Sequence, residues 1–151
     1  IQSRVLKEKL IYNVTVLMGG KEANFNAILD TGNSLKDPVS GLPVIVAEYD
    51  VMKGLLPAKM QLVFKEKAND IDLEELYKQM GNTRWMLRIR LIPFSSLGRE
   101  NGMLLGIKPD MVMLRQRKFI REIKDVIIGI YNSKIGKDGD YRGLLYSEIL
   151  R

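Results

Sequence analysis

Two short apolar segments joined by a glycine pair, the second running straight into an acid, constrain this chain more than any other feature. Tyr12-Asn-Val-Thr-Val-Leu-Met18 alternates with the period of two expected of a strand, and its Val and Thr favour that state. Gly19-Gly20 followed by Lys21-Glu22 signals a turn, and Phe25-Asn-Ala-Ile-Leu29 reads as the returning strand. The hairpin so formed delivers Asp30-Thr31-Gly32 to a loop at its far end.

What the chain lacks narrows its chemistry. Its 151 residues contain neither cysteine nor histidine. A disulfide framework, a zinc site of the usual kind, a cysteine nucleophile and any dyad or triad built on histidine are excluded. Acid–base work falls to Asp, Glu, Lys, Tyr or a Ser–Lys pair. A hydrophobic fraction of 46% with 28% charged residues fits a folded domain, and no apolar run approaches the ~20 residues that cross a bilayer. The net charge of +6 suits a nucleic acid, an anionic membrane face or an acidic protein partner, or simply a basic solvated surface.

Further along, Pro38, Gly41 and Pro43 mark a loop and Val44-Ile-Val-Ala47 resumes as strand. Tyr49 to Leu56 predicts a short helix ended by Pro57, Gln61 to Phe64 a strand, and Asp72 to Met80 a helix stopped by Gly81. Trp85 to Ile92 reads as strand up to Pro93, Ser96 to Gly102 as a turn, and Met103 to Ile107 as another strand. Phe119 to Ile123 is charged and compatible with a helix, Asp125 to Tyr131 has a buried-strand pattern interrupted by Gly129, and Tyr141 to Leu150 predicts a closing helix. The sum is a mainly β domain with a few short helices.

Asp30 is the candidate catalytic group. Water attacks an amide only if it is deprotonated as the carbonyl oxygen receives a proton or hydrogen bond. Two carboxyl groups about 3 Å apart do both, because they cannot both ionise and so share one proton. Ala27-Ile28-Leu29 would fix the acid on a rigid strand, Gly32 permits a tight turn with its N–H aimed at the carboxylate, and the Thr31 hydroxyl can anchor the loop. Val126-Ile127-Ile128-Gly129 follows much later. This combination resembles the retropepsin-type aspartic proteases, in which the strand bearing the second motif packs beside the catalytic loop. More narrowly, Asp30-Thr-Gly-Asn-Ser-Leu-Lys-Asp-Pro38, Ile92-Pro-Phe-Ser-Ser-Leu-Gly98 and Gly102-Met-Leu-Leu-Gly-Ile-Lys-Pro-Asp110 resemble the protease domain of the sporulation sigma-E factor-processing peptidases, from about Tyr12 to Leu150.

The resemblance implies a retropepsin-like half-barrel, active as a two-fold dimer. Residues 12–151 would be the protease domain and 1–11 the linker from an N-terminal membrane region preceding Ile1. It would sit at the membrane of a sporulating bacterium, facing the cytoplasm, and remove the pro-sequence of a sigma factor precursor, with a separate activating protein among its partners. Asp30 carries over as the catalytic acid, Thr31 and Gly32 as its loop partners, and Ile127, Ile128 and Gly129 as the supporting strand. Asn33, where most retropepsins have Ala or Ser, and Ser34 are candidate substrate contacts. No metal or cofactor is implied. The dimer has its own argument: no second Asp-Thr/Ser-Gly occurs, since Asp37, Asp110 and Asp125 lack the following pair and Asp138-Gly139 lacks the hydroxyl residue. Two-fold symmetry would supply the second acid.

Two alternatives stay open at this point. One is a non-catalytic domain of the same fold that dimerises or binds peptide. The other is a nucleic-acid module built on Arg115, Arg117, Lys118, Arg121 and Lys124, against which stands the lack of interleaved aromatics other than Phe119. No nucleic-acid partner is expected.

Overall fold

The computed structural model describes residues 9–32, 34–67, 72–96 and 99–151. The alternation at the start becomes strand β1 (Ile11–Met18), which buries Val14, Val16 and Met18 and leaves the residues between them half-buried. Gly19 and Gly20 take φ of +60° and +78°, closing a two-residue turn that sets Met18 opposite Lys21. β2 (Lys21–Asp30) returns antiparallel, burying Ala23, Phe25 and Ala27.

After the Asp30 loop comes β3 (Val44–Glu48), buried at all five positions. Its continuous apolar run follows from being covered on both faces. Ile45 and Ala47 enter the main core, whereas Val44 and Val46 enter a second, smaller cluster with Ile92, Leu104, Ile127 and Tyr146. Helix α1 (Tyr49–Met52) runs into a 3-10 turn at Lys53–Leu55, followed by α2 (Ala58–Lys67) and α3 (Leu73–Met80). The Asp72 carboxylate caps α3 by accepting from the Glu74 and Glu75 amides. Met52, Met60, Phe64, Leu76 and Met80 seal the main core from this side, and Tyr49 stacks on Phe64 with ring centroids 4.8 Å apart.

The chain then adds β4 (Ile89–Ser96), β5 (Arg99–Ile107), β6 (Met111–Gln116), β7 (Phe119–Ile123), β8 (Ile127–Tyr131) and β9 (Gly143–Tyr146), ending in a 3-10 turn at Ser147–Leu150. All nine strands form one sheet in the order β4-β5-β8-β3-β9-β2-β1-β6-β7. The mainly β expectation with short helices holds. The topology has one consequence for the acid. β2 and β3 are consecutive through the Asp30 loop, yet β9 is inserted between them, parallel to β2 and antiparallel to β3.

Four local expectations are corrected. Gln61 to Phe64 lies in α2, where Met60, Val63 and Phe64 bury at helical spacing and Leu62 stays exposed. Arg84–Leu87 is a 3-10 turn, and the strand starts at Ile89 and continues through Pro93, tolerated because β4 is an edge strand paired to β5 alone. Phe119 to Ile123 is strand β7, paired with β6 across a turn in which Arg117 adopts φ +52°. Tyr141 to Leu150 holds β9 and a 3-10 turn in place of a helix. No helix among the described residues is long and apolar enough to cross a membrane.

Candidate active site

Asp30 is the last residue of β2, half-buried where the strand leaves the sheet. The Gly32 amide donates to its Oδ1 at 2.9 Å, so the turn after the acid closes on the carboxylate itself. Thr31 and Gly32 are exposed at the tip, and so is Ser34; Asn33 lies outside the described residues.

The strand beside Asp30 is β9. Parallel pairing sets Ala27 against Gly143 and continues in register to Asp30 against Tyr146. Tyr146 is 5% exposed, and its phenol is pushed up to about 12, first by burial and then by the negative charge of Asp30. Gly143 is required at the entry of β9: an added β-carbon would lie 2.6 Å from the Phe25 ring and 2.7 Å from the Val46 carbonyl oxygen.

The loop after the triplet is braced from two sides. An isolated bridge joins Lys36 to Pro43, and Asp37, 1% exposed, accepts from the Val39 amide at 3.1 Å and the Ser40 hydroxyl at 2.7 Å. Burial alone would raise the Asp37 pKa. The Ser40 hydroxyl, the Val39 and Ser40 amides and the Arg90 guanidinium, 3.5 Å away on β4, outweigh it and hold the carboxyl below its ordinary range. Lys36 pairs with Glu148 of the final turn at 2.9 Å. The acid-bearing loop is thus tied to β4 and to the segment that follows β9.

Ile127, Ile128 and Gly129 are not beside Asp30. They form β8, which pairs with β3 and β5 and is separated from β2 by β3 and β9. Their reach toward the acid is indirect: Ile127 packs in the second cluster with Val44, Val46 and Tyr146, and Gly129 leaves room for Val44 and Leu104. The structure therefore gathers Asp30, Thr31 and Gly32, puts Tyr146 beside Asp30, and braces the farther part of the loop through Asp37 and Arg90. The Asp-Pro-Val-Ser-Gly run at Asp37 to Gly41 is a legible side-chain-capped turn. Tyr146 and Arg90 carry no comparable local signal.

The basic residues at 115–124 lie on the β6–β7 hairpin and just beyond it. Arg121 is committed to the fold, donating to the Ile149 and Arg151 carbonyls and lying over the Phe119 ring.

A mainly β domain that ends a half-buried strand in Asp-Thr-Gly, with the carboxylate held by the glycine amide, belongs to the class of proteins that present a carboxylate on a tight loop. Comparison with known proteins narrows the class. A family model described as sporulation factor SpoIIGA, peptidase family U4, matches residues 1–149, and the chain belongs to this family. Among curated relatives, it is 24% identical over 140 residues, 93% of the chain, to the sporulation sigma-E factor-processing peptidase of Priestia megaterium, and covers 44% of that protein. It is 23% identical over 150 residues, 99% of the chain, to the protein of the same name from Bacillus subtilis, covering 48% of it. The chain thus spans a little under half the length of these two relatives. No solved structure matches it significantly.

Proposed function

We propose that this chain is the catalytic part of an aspartic endopeptidase, its carboxylate dyad formed by Asp30 from two copies meeting across a two-fold axis. The observation that carries this reading is Asp30, half-buried at the end of a core strand, with its Oδ1 held by the Gly32 amide. The insertion of β9 beside β2 adds support, because it braces the acid-bearing strand on the side away from β1. In this reading the domain is retropepsin-like, and each chain supplies half of the substrate cleft.

The chemistry follows from the pair. The ionised carboxylate takes a proton from the attacking water while the protonated partner donates to the scissile carbonyl oxygen, giving a tetrahedral diol. Proton return to the leaving nitrogen then breaks the C–N bond and restores the shared proton. By family membership and by the names of the relatives, the substrate is a sporulation sigma factor precursor that loses its pro-sequence. In the same reading the domain works at the membrane of the sporulating cell, on its cytoplasmic side, held there by sequence outside this chain and switched on by a separate protein.

The test is cleavage of the sigma precursor co-expressed with the parent protein or with Asp30→Asn, which nearly preserves shape but removes the proton-accepting carboxylate. Cleavage by the parent and none by the variant at equal protein levels is the expected outcome. Equal cleavage by both would refute the aspartic mechanism and favour a binding domain.

A further inference from the structure

A cavity of about 390 Å³ opens at the opposite end of β2 from Asp30. Lys21 on its rim and Asp30 are the two ends of the strand, so the sites lie roughly 30 Å apart. Three chain segments converge on it: the β1–β2 turn, the stretch after α1, and the 3-10 turn before β4. Leu55, Leu56, Pro57 and the half-buried Trp85 make its wall apolar. Lys21, Arg84 and Arg88 make its rim cationic.

The frame is built, not incidental. The Asp110 carboxylate accepts from the Gly19 amide at 2.9 Å and from Arg88 at 2.8 Å, and Arg88 also donates to the Lys108 carbonyl. Asp110 therefore neutralises Arg88 and locks the hairpin turn to the residues before β4. Lys21 and Arg84, both exposed, have no ion pair among the described residues. An apolar wall topped by two uncompensated cations complements a ligand that carries an apolar group flanked by negative charge.

We propose that this cavity is a docking site for an acidic peptide segment of a partner protein, with one apolar side chain of that segment inserted against Trp85 and flanking carboxylates on Lys21 and Arg84. The chain's net charge of +6 favours approach of an acidic partner. A small inorganic anion would leave the proline and tryptophan surface to water. A flat anionic bilayer would not fill a concave site. The assignment does not depend on the role of Asp30.

Trp85 is the chain's one tryptophan, so its fluorescence reports occupancy directly. The probe is a ten-residue peptide with a single central Phe flanked by Glu, titrated into the 151-residue chain. Expected is a saturable change in Trp85 emission that weakens as salt rises. The Lys21→Glu, Arg84→Glu double variant should lose affinity by about tenfold or more. Both positions are exposed, and circular dichroism checks that the variant keeps its fold; the salt dependence of the parent is a second readout that needs no variant. The proposal is overturned by the absence of a saturable change, by equal affinity in the charge-reversed variant, or by equal binding of an all-Glu peptide. It is also overturned if phosphatidylserine vesicles shift the emission and the peptide does not.

Discussion

Gly32 bears a hydrogen where the chain itself has room for a methyl group. Among the described residues, a β-carbon built there meets only Asp30 Oδ1, at 3.6 Å, an ordinary contact. Nothing among the described residues therefore demands glycine, and in the proposed dimer the demand would come from the second copy or the substrate backbone. Gly32→Ala is expected to change unfolding stability by less than about 0.5 kcal/mol while lowering precursor cleavage. Unchanged cleavage would mean that nothing approaches the loop so closely. Tyr146 provides an independent probe of the same spot. Its phenol is raised from 10.0 to about 12 by burial and by the Asp30 charge, so Asp30→Asn should lower its pKa and leave the burial part in place. The folded pKa lies above the unfolded value. Tyr146 therefore contributes stability fully below pH 10, and that contribution is lost as pH rises toward 12. Absorbance titration near 295 nm, with Tyr146→Phe identifying the signal, checks both statements; an unmoved phenol in Asp30→Asn would separate the two groups. Asp30, Thr31 and Gly32 were legible because a strand pattern ran directly into a turn triplet. Tyr146 was not, because its importance arises from a parallel register between the two ends of the chain.

β9 is the element on which the position of Asp30 depends, and its four residues show why short strands escape sequence reading. Gly143-Leu-Leu-Tyr146 has no alternation, and followed by Ser-Glu-Ile-Leu it reads as well as a helix; tertiary pairing on both edges decides the matter. β8 shows the opposite case. Ile127-Ile-Gly-Ile130 is buried throughout and was legible as a strand, but its neighbours were not, and it lies two strands farther from the acid than the motif suggested. The two glycines separate these roles. Alanine at Gly143 would press on the Phe25 ring and on a backbone carbonyl that cannot move without opening the ladder, so a loss of about 1–3 kcal/mol is expected. Alanine at Gly129 would meet Val44 Cγ1 and Leu104 Cδ1 at 3.1 and 3.2 Å, side-chain methyls able to give way, and the loss should be smaller. Urea unfolding of both variants measures the difference. Equal losses would show that β9 is no more constrained by its neighbours than β8.

In the proposed enzyme, one folded chain is half of a working site. The sheet places one Asp-Thr-Gly, the sequence holds no second, and the chemistry needs two carboxyl groups sharing a proton. The mainly β architecture was legible from periodicity; the pairing of copies follows only from counting acids and asking what the reaction demands. That demand has a stoichiometric consequence. If parent and Asp30→Asn subunits are mixed at equal amounts and exchange freely, random pairing makes about one pair in four wholly parental and about one in two mixed. A mixed pair holds one carboxylate and one amide, cannot share a proton between acids, and should be inactive. Cleavage should then fall to about a quarter of that given by the same total amount of parent chain, against about half if each subunit worked alone. Exchange can be confirmed with differently tagged subunits. Dilution gives the companion reading: activity per chain should fall as pairs dissociate, and tethering two copies by a flexible linker should restore it by raising their effective concentration. Activity at one half in the mixture, constant on dilution, would place the whole reaction in a single chain and require an acid other than the partner's Asp30.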